Sequence, residues 1–273
     1  MNKAIIAVLI IVSISFLLPI MWSFSTAFKP TGEILSYPPT LIPQDFTFDQ
    51  FIKLFTAGNG LFGKYILNTL FMAGVSILGV MIVSLFSGYA LSMLPFKGSN
   101  VILLLILSIM MVPFQSLLIP IYDLLNKIGL FDTRIGLILV YMTFFMPFCI
   151  FMVFNYFRSL PKSLRESARI DGAGEMTILF KILVPLSLPA LATIIVYVFL
   201  EVWNDFVLAL IFSSSPDVRN IQVGITVFAT QRFSKDWGLI NAGVVFSLIP
   251  SMLVFLILQK YYVKGLTSGT VKG

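Results

Sequence analysis

The chain holds no histidine and a single cysteine, Cys149, in 273 residues. The first absence removes the commonest metal ligand and the easiest general base, and the second rules out an internal disulfide. Charge is scarce too, at 11% of residues against 58% hydrophobic ones, and mean hydropathy is +1.00. Such a chain cannot fold in water without exposing large apolar patches, so it reads as a membrane protein. With no histidine, one cysteine in an apolar run and no metal-ligand spacing, the groups an embedded enzyme needs do not converge. No catalytic residue and no metal site are expected.

Apolar stretches near 5–27, 66–94, 101–122, 135–157, 186–212 and 239–259 are each long enough for a bilayer crossing. They predict an all-α membrane protein with six transmembrane helices. Little chain is left over, so residues 1–273 form one membrane domain. Between the stretches lie a Pro- and Gly-rich loop over 28–65 with a short helix near Asp49–Phe55, a tight turn at Phe96-Lys97-Gly98, a connection over 123–134, a charged block over 158–185, a loop over 213–238 and a tail over 260–273. Lys3, Lys97, Arg158, Lys162, Arg165, Arg169, Lys181, Lys260, Lys264 and Lys272 fall on one side, against only Glu166, Asp171 and Glu175. Their density is about twofold that of the other side, which places both termini and the charged block in the cytoplasm. That bias accounts for the net charge of +6 without invoking nucleic acid. The first stretch could be a signal peptide, since Ser25-Thr-Ala27 weakly matches a cleavage site, but its length favours an uncleaved helix. Prolines 113, 120, 147 and 250 sit inside the stretches and permit kinks.

Gly58-Asn-Gly60-Leu-Phe-Gly63-Lys64 looks like a phosphate loop, yet Tyr65 stands where Ser or Thr would hold magnesium and no strand precedes it. No nucleotide is expected on this chain. In the charged block, Ser163-Leu-Arg-Glu166 has the spacing of a capping box, predicting a helix from near Ser163 to a turn at Asp171-Gly172. That helix would present Ala168, Ile170 and Ala173, with Phe180 close by, as a small apolar knob for a partner's cleft.

The fifth stretch carries Glu201-Val-Trp203-Asn204-Asp205-Phe206. An ionised carboxylate at membrane depth costs about 2.5–3.5 kcal/mol, so Glu201 should face a polar cavity or a partner helix, and Asp205 shares its face. This face either lines a pathway, with Trp203 stacking on a ring and the polar groups bonding hydroxyls, or ties helices together near the interface. Asn68, Gln115 and Asn155 are expected to hydrogen-bond between helices, and Ser84 with Gly88 forms a small-residue packing pair.

Glu166-Ser-Ala168, three residues, Gly172, nine residues and Ile182-Leu-Val-Pro185 resemble the EAA loop of ABC importer permeases. Asp171-Gly172-Ala173, Phe180, Pro185 and Pro189 resemble the carbohydrate-uptake, maltose-type branch, from which Ser167 and Val184 are small departures. The runs Ser25–Pro30, Val112–Pro120, Trp203–Phe206 and Lys264–Gly273 are similar to it as well. The resemblance implies a type I ABC importer permease fold and the smaller permease subunit of a sugar importer. Its partners would be a second, different permease, two ATPase subunits holding ATP and magnesium, and an extracellular binding protein, within membrane lipid. Ser163, Glu166, Ala168, Ile170, Asp171, Gly172, Ala173 and Phe180 would form the coupling element, Glu166 pairing with a basic group and Gly172 allowing close approach. The tail would reach the ATPase or serve as a basic anchor. Glu201, Trp203, Asn204 and Asp205 would line the substrate pathway. A glycerol-phosphate cargo, or a secondary transporter using Glu201 and Asp205 as a proton relay, are the other readings.

Overall fold

The computed structural model describes residues 3–94, 96–230 and 236–267, and every regular element among them is helical. Helix α1 (Lys3–Ala27) is the first apolar stretch, and Ser25-Thr-Ala27 lies in its last turn. The long loop that follows is ordered. Within it α2 (Thr31–Ile34) and α3 (Asp49–Thr56) fold back, and Phe28, Phe46, Phe48 and Phe51 cluster with neighbouring ring centroids 4.7 to 6.3 Å apart. Glu33 accepts from Thr40 Oγ1 at 2.7 Å and from the Gln44 backbone at 3.0 Å, giving this loop a polar anchor beside its aromatic one. Helix α4 (Leu61–Met93) begins inside the segment expected as loop.

The third stretch is not one helix. It divides into α5 (Ser99–Ile109) and α6 (Phe114–Lys127), which meet at 94°. Pro113 is the cause: it caps α6 from outside, having no N–H to donate and forcing its neighbour out of the helical region. Helix α7 (Arg134–Ser159) starts at Thr133, whose hydroxyl accepts from the Gly136 N–H at 3.0 Å. The charged block folds as α8 (Ser163–Ile170), α9 (Glu175–Thr177), a π-helical run over Ile178–Leu183, and α10 (Val184–Leu186). From it α11 (Leu188–Asn204) departs at 77°.

The fifth stretch is also interrupted, at Asp205–Phe206, before resuming as α12 (Val207–Phe212). Asp205 accepts from the N–H groups of Leu208 at 3.0 Å and Ala209 at 2.8 Å, and so starts a new helix where apolar composition alone would continue the old one. Helices α13 (Ile221–Thr230) and α14 (Trp237–Thr267) complete the set. Helix α14 runs past the expected end at 259, so the tail begins as helix, and residues 268–273 fall outside the described ones. Pro120, Pro147 and Pro250 do lie within helices.

Among the described residues four helices, α1, α4, α7 and α14, are long and apolar enough to cross a membrane, and six spans result if each bent pair counts as one. In the second bent pair α11 carries the crossing, since its 17 residues reach about 25 Å. The charged run before it lies across its end.

Helices α4 and α7 pack along their lengths at the centre, with α11 against both and α13 against α4, while α14 packs on α11 and α13 and α1 rests on α14. At Gly88 the two helices approach closely because the residue has no side chain. A Cβ added at Gly88 would stand 2.5 Å from Val153 Cγ1 and 3.1 Å from the Phe154 backbone nitrogen, which gives the Ser84–Gly88 pair its packing role. Asn68 bonds between segments, donating to the carbonyls of Asp217 at 2.9 Å and Arg219 at 3.0 Å. Asn155 instead donates to Phe151 of its own helix, and Gln115 is exposed.

The same loop, 213–220, is stitched down by contacts with four further residues of the chain, Lys64, Asp132, Arg134 and Asp205. Lys64 pairs with Asp217, Arg134 donates twice to the Asp217 carbonyl at 3.2 Å, Asp132 accepts from the Ser214 backbone at 2.8 Å, and Asn220 donates to the Asp205 carbonyl at 2.5 Å.

Candidate functional site

Two regions bring chemically capable residues together. The first is a cavity of about 570 Å³ between α6, α7, α11 and α12. Its walls are aromatic, from Phe114, Phe144, Phe145, Tyr197 and Phe206, and its polar groups are Glu201, Asn204 and Asp205. The helical spacing placed Glu201 and Asp205 on one face, and both do reach the cavity. Their roles differ. Asp205 is consumed by structure: besides capping α12 it accepts from Tyr141 Oη at 2.9 Å. Glu201 is half-exposed to the cavity and makes no hydrogen bond or ion pair among the described residues. Among the described residues no lysine or arginine lines the space.

Trp203 is elsewhere. It is fully buried, stacks on Phe199 at 5.6 Å and donates its indole N–H to the Ser247 carbonyl at 2.9 Å, joining α11 to α14. Two residues from Glu201 is about 200° around a helix, so the two side chains cannot share a wall. Trp203 therefore does not line the cavity, whose aromatic walls come from other residues. Tyr197, four residues before Glu201, was legible from spacing. Phe114, Phe144 and Phe145 carried no local signal.

The second region is the hairpin around α8. Its helix ends where the sequence placed the end: the Ala173 N–H reaches the Ala168 carbonyl at 2.9 Å and the Gly172 N–H the Arg169 carbonyl at 3.0 Å, with Gly172 at φ +82°. That is a Schellman closure, which needs a left-handed residue at this point. The helix also starts at Ser163 as expected, but without the capping box. Pro161 and Lys162 already accept the first helical bonds, so Ser163 falls within the first turn and neither it nor Glu166 caps the helix.

Glu166, Asp171 and Gly172 are exposed, Ile170 is 87% exposed, and Phe180 is 49% exposed with its edge against Phe86 at 5.9 Å. Ala168 is buried, and Ala173 is half-buried against the core. These two alanines face inward with Leu164, four residues before Ala168, because α8 is amphipathic and its narrow apolar stripe is needed to seat it. The outward knob is thus Ile170 and Phe180 with Glu166 beside them.

One cluster was not foreseen. Arg165 grips Glu175 with two hydrogen bonds, Nε to Oε2 at 3.1 Å and Nη2 to Oε1 at 2.6 Å, and Arg169 lies 3.8 Å from the same carboxylate. Tyr89, near the end of α4, also donates to Glu175 Oε2. The Arg165 guanidinium, aided by Tyr89, holds the Glu175 carboxyl below its ordinary range, and in return Arg165 is raised. Arg165 and Glu175 stand ten residues apart across the turn, too far for any helical rule to link them.

The glycine-rich segment near Gly58 forms no phosphate cradle in this fold. Gly58, Asn59 and Gly60 all take positive φ in a short turn ahead of α4, and Lys64 is engaged with Asp217.

The described residues thus form an all-helical membrane chain with a bent third span, an exposed amphipathic hairpin and an aromatic cavity holding two carboxylates. Residues 81–268 match the family described as the inner membrane component of binding-protein-dependent transport systems, and the chain belongs to that family. It is 32% identical to the diacetylchitobiose uptake permease NgcG of Streptomyces coelicolor, over 97% of this chain and 87% of that one. It is 35% identical to the trehalose permease SugB of Mycobacterium tuberculosis, over 94% and 93%, and 34% identical to the arabinooligosaccharide permease AraQ of Halalkalibacterium halodurans, over 93% and 91%. In structure it is similar to a chain of a bacterial ABC transporter that imports alginate, with a TM-score of 0.84, 26% identity and 95% of both chains covered. The fold is that of an ABC importer permease, and the protein is a multi-pass inner-membrane transport component.

Proposed function

We propose that this chain is one of two membrane subunits of an ATP-driven importer for a neutral mono- or oligosaccharide handed over by an extracellular binding protein. The observation that carries this reading is the presence in one chain of an exposed hairpin and an aromatic cavity holding an unengaged carboxylate. Aromatic faces pack on the C–H faces of sugars, and Glu201 and Asn204 supply acceptors for hydroxyls. The relatives named for diacetylchitobiose, trehalose and arabinooligosaccharides support a saccharide cargo. Two carboxylates, and no cation among the described residues of the lining, disfavour glycerol phosphate, whose charge the carboxylates would repel.

Both termini and the hairpin lie in the cytoplasm. There the outward face of α8, with Glu166, Ile170, Asp171, Gly172 and the flanking Phe180, docks on an ATPase subunit that holds ATP and magnesium, while this chain binds neither. A second permease covers α1, whose apolar side chains are exposed along its length. When the ATPases close on ATP, the hairpins are displaced and the cavity opens outward, and hydrolysis restores the inward-facing state.

Co-expression with a partner permease, the ATPase and a binding protein, followed by uptake of a panel of neutral di- and trisaccharides alongside glycerol 3-phosphate, tests this. Uptake of a neutral saccharide that depends on ATPase subunits is expected. Uptake that persists without them would replace the importer reading by a secondary transporter, with Glu201 and Asp205 as its relay.

A further inference from the structure

An exposed hairpin transmits force only if something stiff joins it to the helices that enclose the cavity. The hairpin's apolar seating, through Ala168, Ile178, Leu179 and Leu183, fixes its depth. Apolar contact has no directional preference, so it resists sliding weakly. The directional connection is polar. Glu175 stands just beyond the Gly172 turn and takes Arg165 from α8 on one side and Tyr89 from α4 on the other. Arg165 is bidentate and its side chain is 14% exposed, so the pair is shielded from water on most of one side. Tyr89 is itself buried, with its ring edge-on to Phe157 of α7 at 6.3 Å.

From these contacts we infer that Arg165, Glu175 and Tyr89 form a strut through which displacement of α8 is delivered to the α4–α7 pair. Glu175 and Tyr89 are positioning residues: neither touches cargo or nucleotide, and each acts by keeping the hairpin and α4 one body. The inference rests on the importer reading above, and goes beyond it by naming where the stroke enters the membrane helices.

The test uses the whole importer in liposomes, this chain with its partner permease, ATPases and binding protein, and reads cargo transported per ATP hydrolysed at equal amounts of assembled complex. The unmodified complex is measured first, with and without ATPases. Uptake without them sinks the importer reading before any variant is considered. Tyr89→Phe keeps the ring against Phe157 and removes only the donor to Glu175. It is expected to leave binding-protein-stimulated ATP hydrolysis near the unmodified rate while lowering transport per ATP by about threefold or more. Glu175→Ala should lower it further. Glu175→Gln, whose amide oxygen still accepts from Arg165 or Tyr89, should recover part of the loss. Transport per ATP equal to the unmodified complex in both Tyr89→Phe and Glu175→Ala overturns the inference. So does a fall of hydrolysis and transport in strict proportion, because that is the signature of residues that only help assembly.

Discussion

Gly172 lies at φ +82°, and a Cβ built there meets nothing within 4 Å, so a substitution encounters backbone strain with no clash in this chain. An ordinary L-residue in the left-handed region costs about 1–2 kcal/mol, which shifts the balance between the native turn and a relaxed one by roughly 5- to 30-fold. The Schellman bonds from Gly172 and Ala173 would be lost in the relaxed turn, and Asp171 and the approach to Glu175 would be re-aimed with them. Asn tolerates the left-handed region and a β-branched residue tolerates it worst. The expected order of coupled uptake is therefore Gly, then Asn, then Ala, with Gly172→Val lowest. ATPase subunits co-purified with this chain should follow the same order. Gly172→Val retaining uptake equal to Gly172→Asn would refute the claim that the turn's conformation is what the position requires.

Three further outcomes are expected. Trp203→Ala should destabilise the purified chain by about 3–5 kcal/mol, seen as a lowered melting temperature in detergent, whereas Trp203→Phe should cost less, chiefly through the unpaired Ser247 carbonyl. Loss of cargo binding with unchanged stability would restore Trp203 to the pathway. Gly88→Ala should cost about 1–3 kcal/mol by overpacking, and Val153→Ala in the same chain should recover only part, because the Phe154 nitrogen remains 3.1 Å from the new Cβ. The Glu175 value is depressed, so its contribution is present above the ordinary carboxylate range and is lost only as pH falls through the lower folded value. The Arg165 value is raised, so its contribution holds until pH exceeds the ordinary guanidinium range. Transport per ATP should accordingly be flat from about pH 6 to pH 9, and a step within that window would be inconsistent with a carboxylate–guanidinium strut.

The hairpin was legible because its determinants are local: the helix from near Ser163, the Asp171-Gly172 turn and the exposed Ile170 are short-range facts. The Ser84–Gly88 pair was legible for a similar reason, whereas Asn68 reached a loop and not a helix, and Gln115 and Asn155 bridged no helices among the described residues. The breaks were legible in part. Pro113 marked a permitted kink, though its 94° bend was not read from it, and Asp205–Phe206 looked like a continuation because hydropathy has no direction and does not show a capping carboxylate turning the chain. The strut was invisible because Tyr89 and Glu175 are 86 residues apart, joined only after α4 and α7 have packed. Ala168 was misplaced because a small residue serves equally well to admit a partner or to let its own helix sit down.

The loop over 213–220 gains a meaning from the strut at the other end of α4. Lys64 and Asn68 on α4, Asp132 and Arg134 at the start of α7, and Asp205 after α11 all hold that one loop, while Tyr89 holds the hairpin. Among the described residues α4 is thus tied at both of its ends. On the importer reading proposed above, spin labels placed on α4 and α7 should keep their separation throughout the transport cycle, and the parting that admits cargo should fall at the seam with a second permease. The chain would then work as one half of a pair of jaws, rigid in itself and mobile only against its partner.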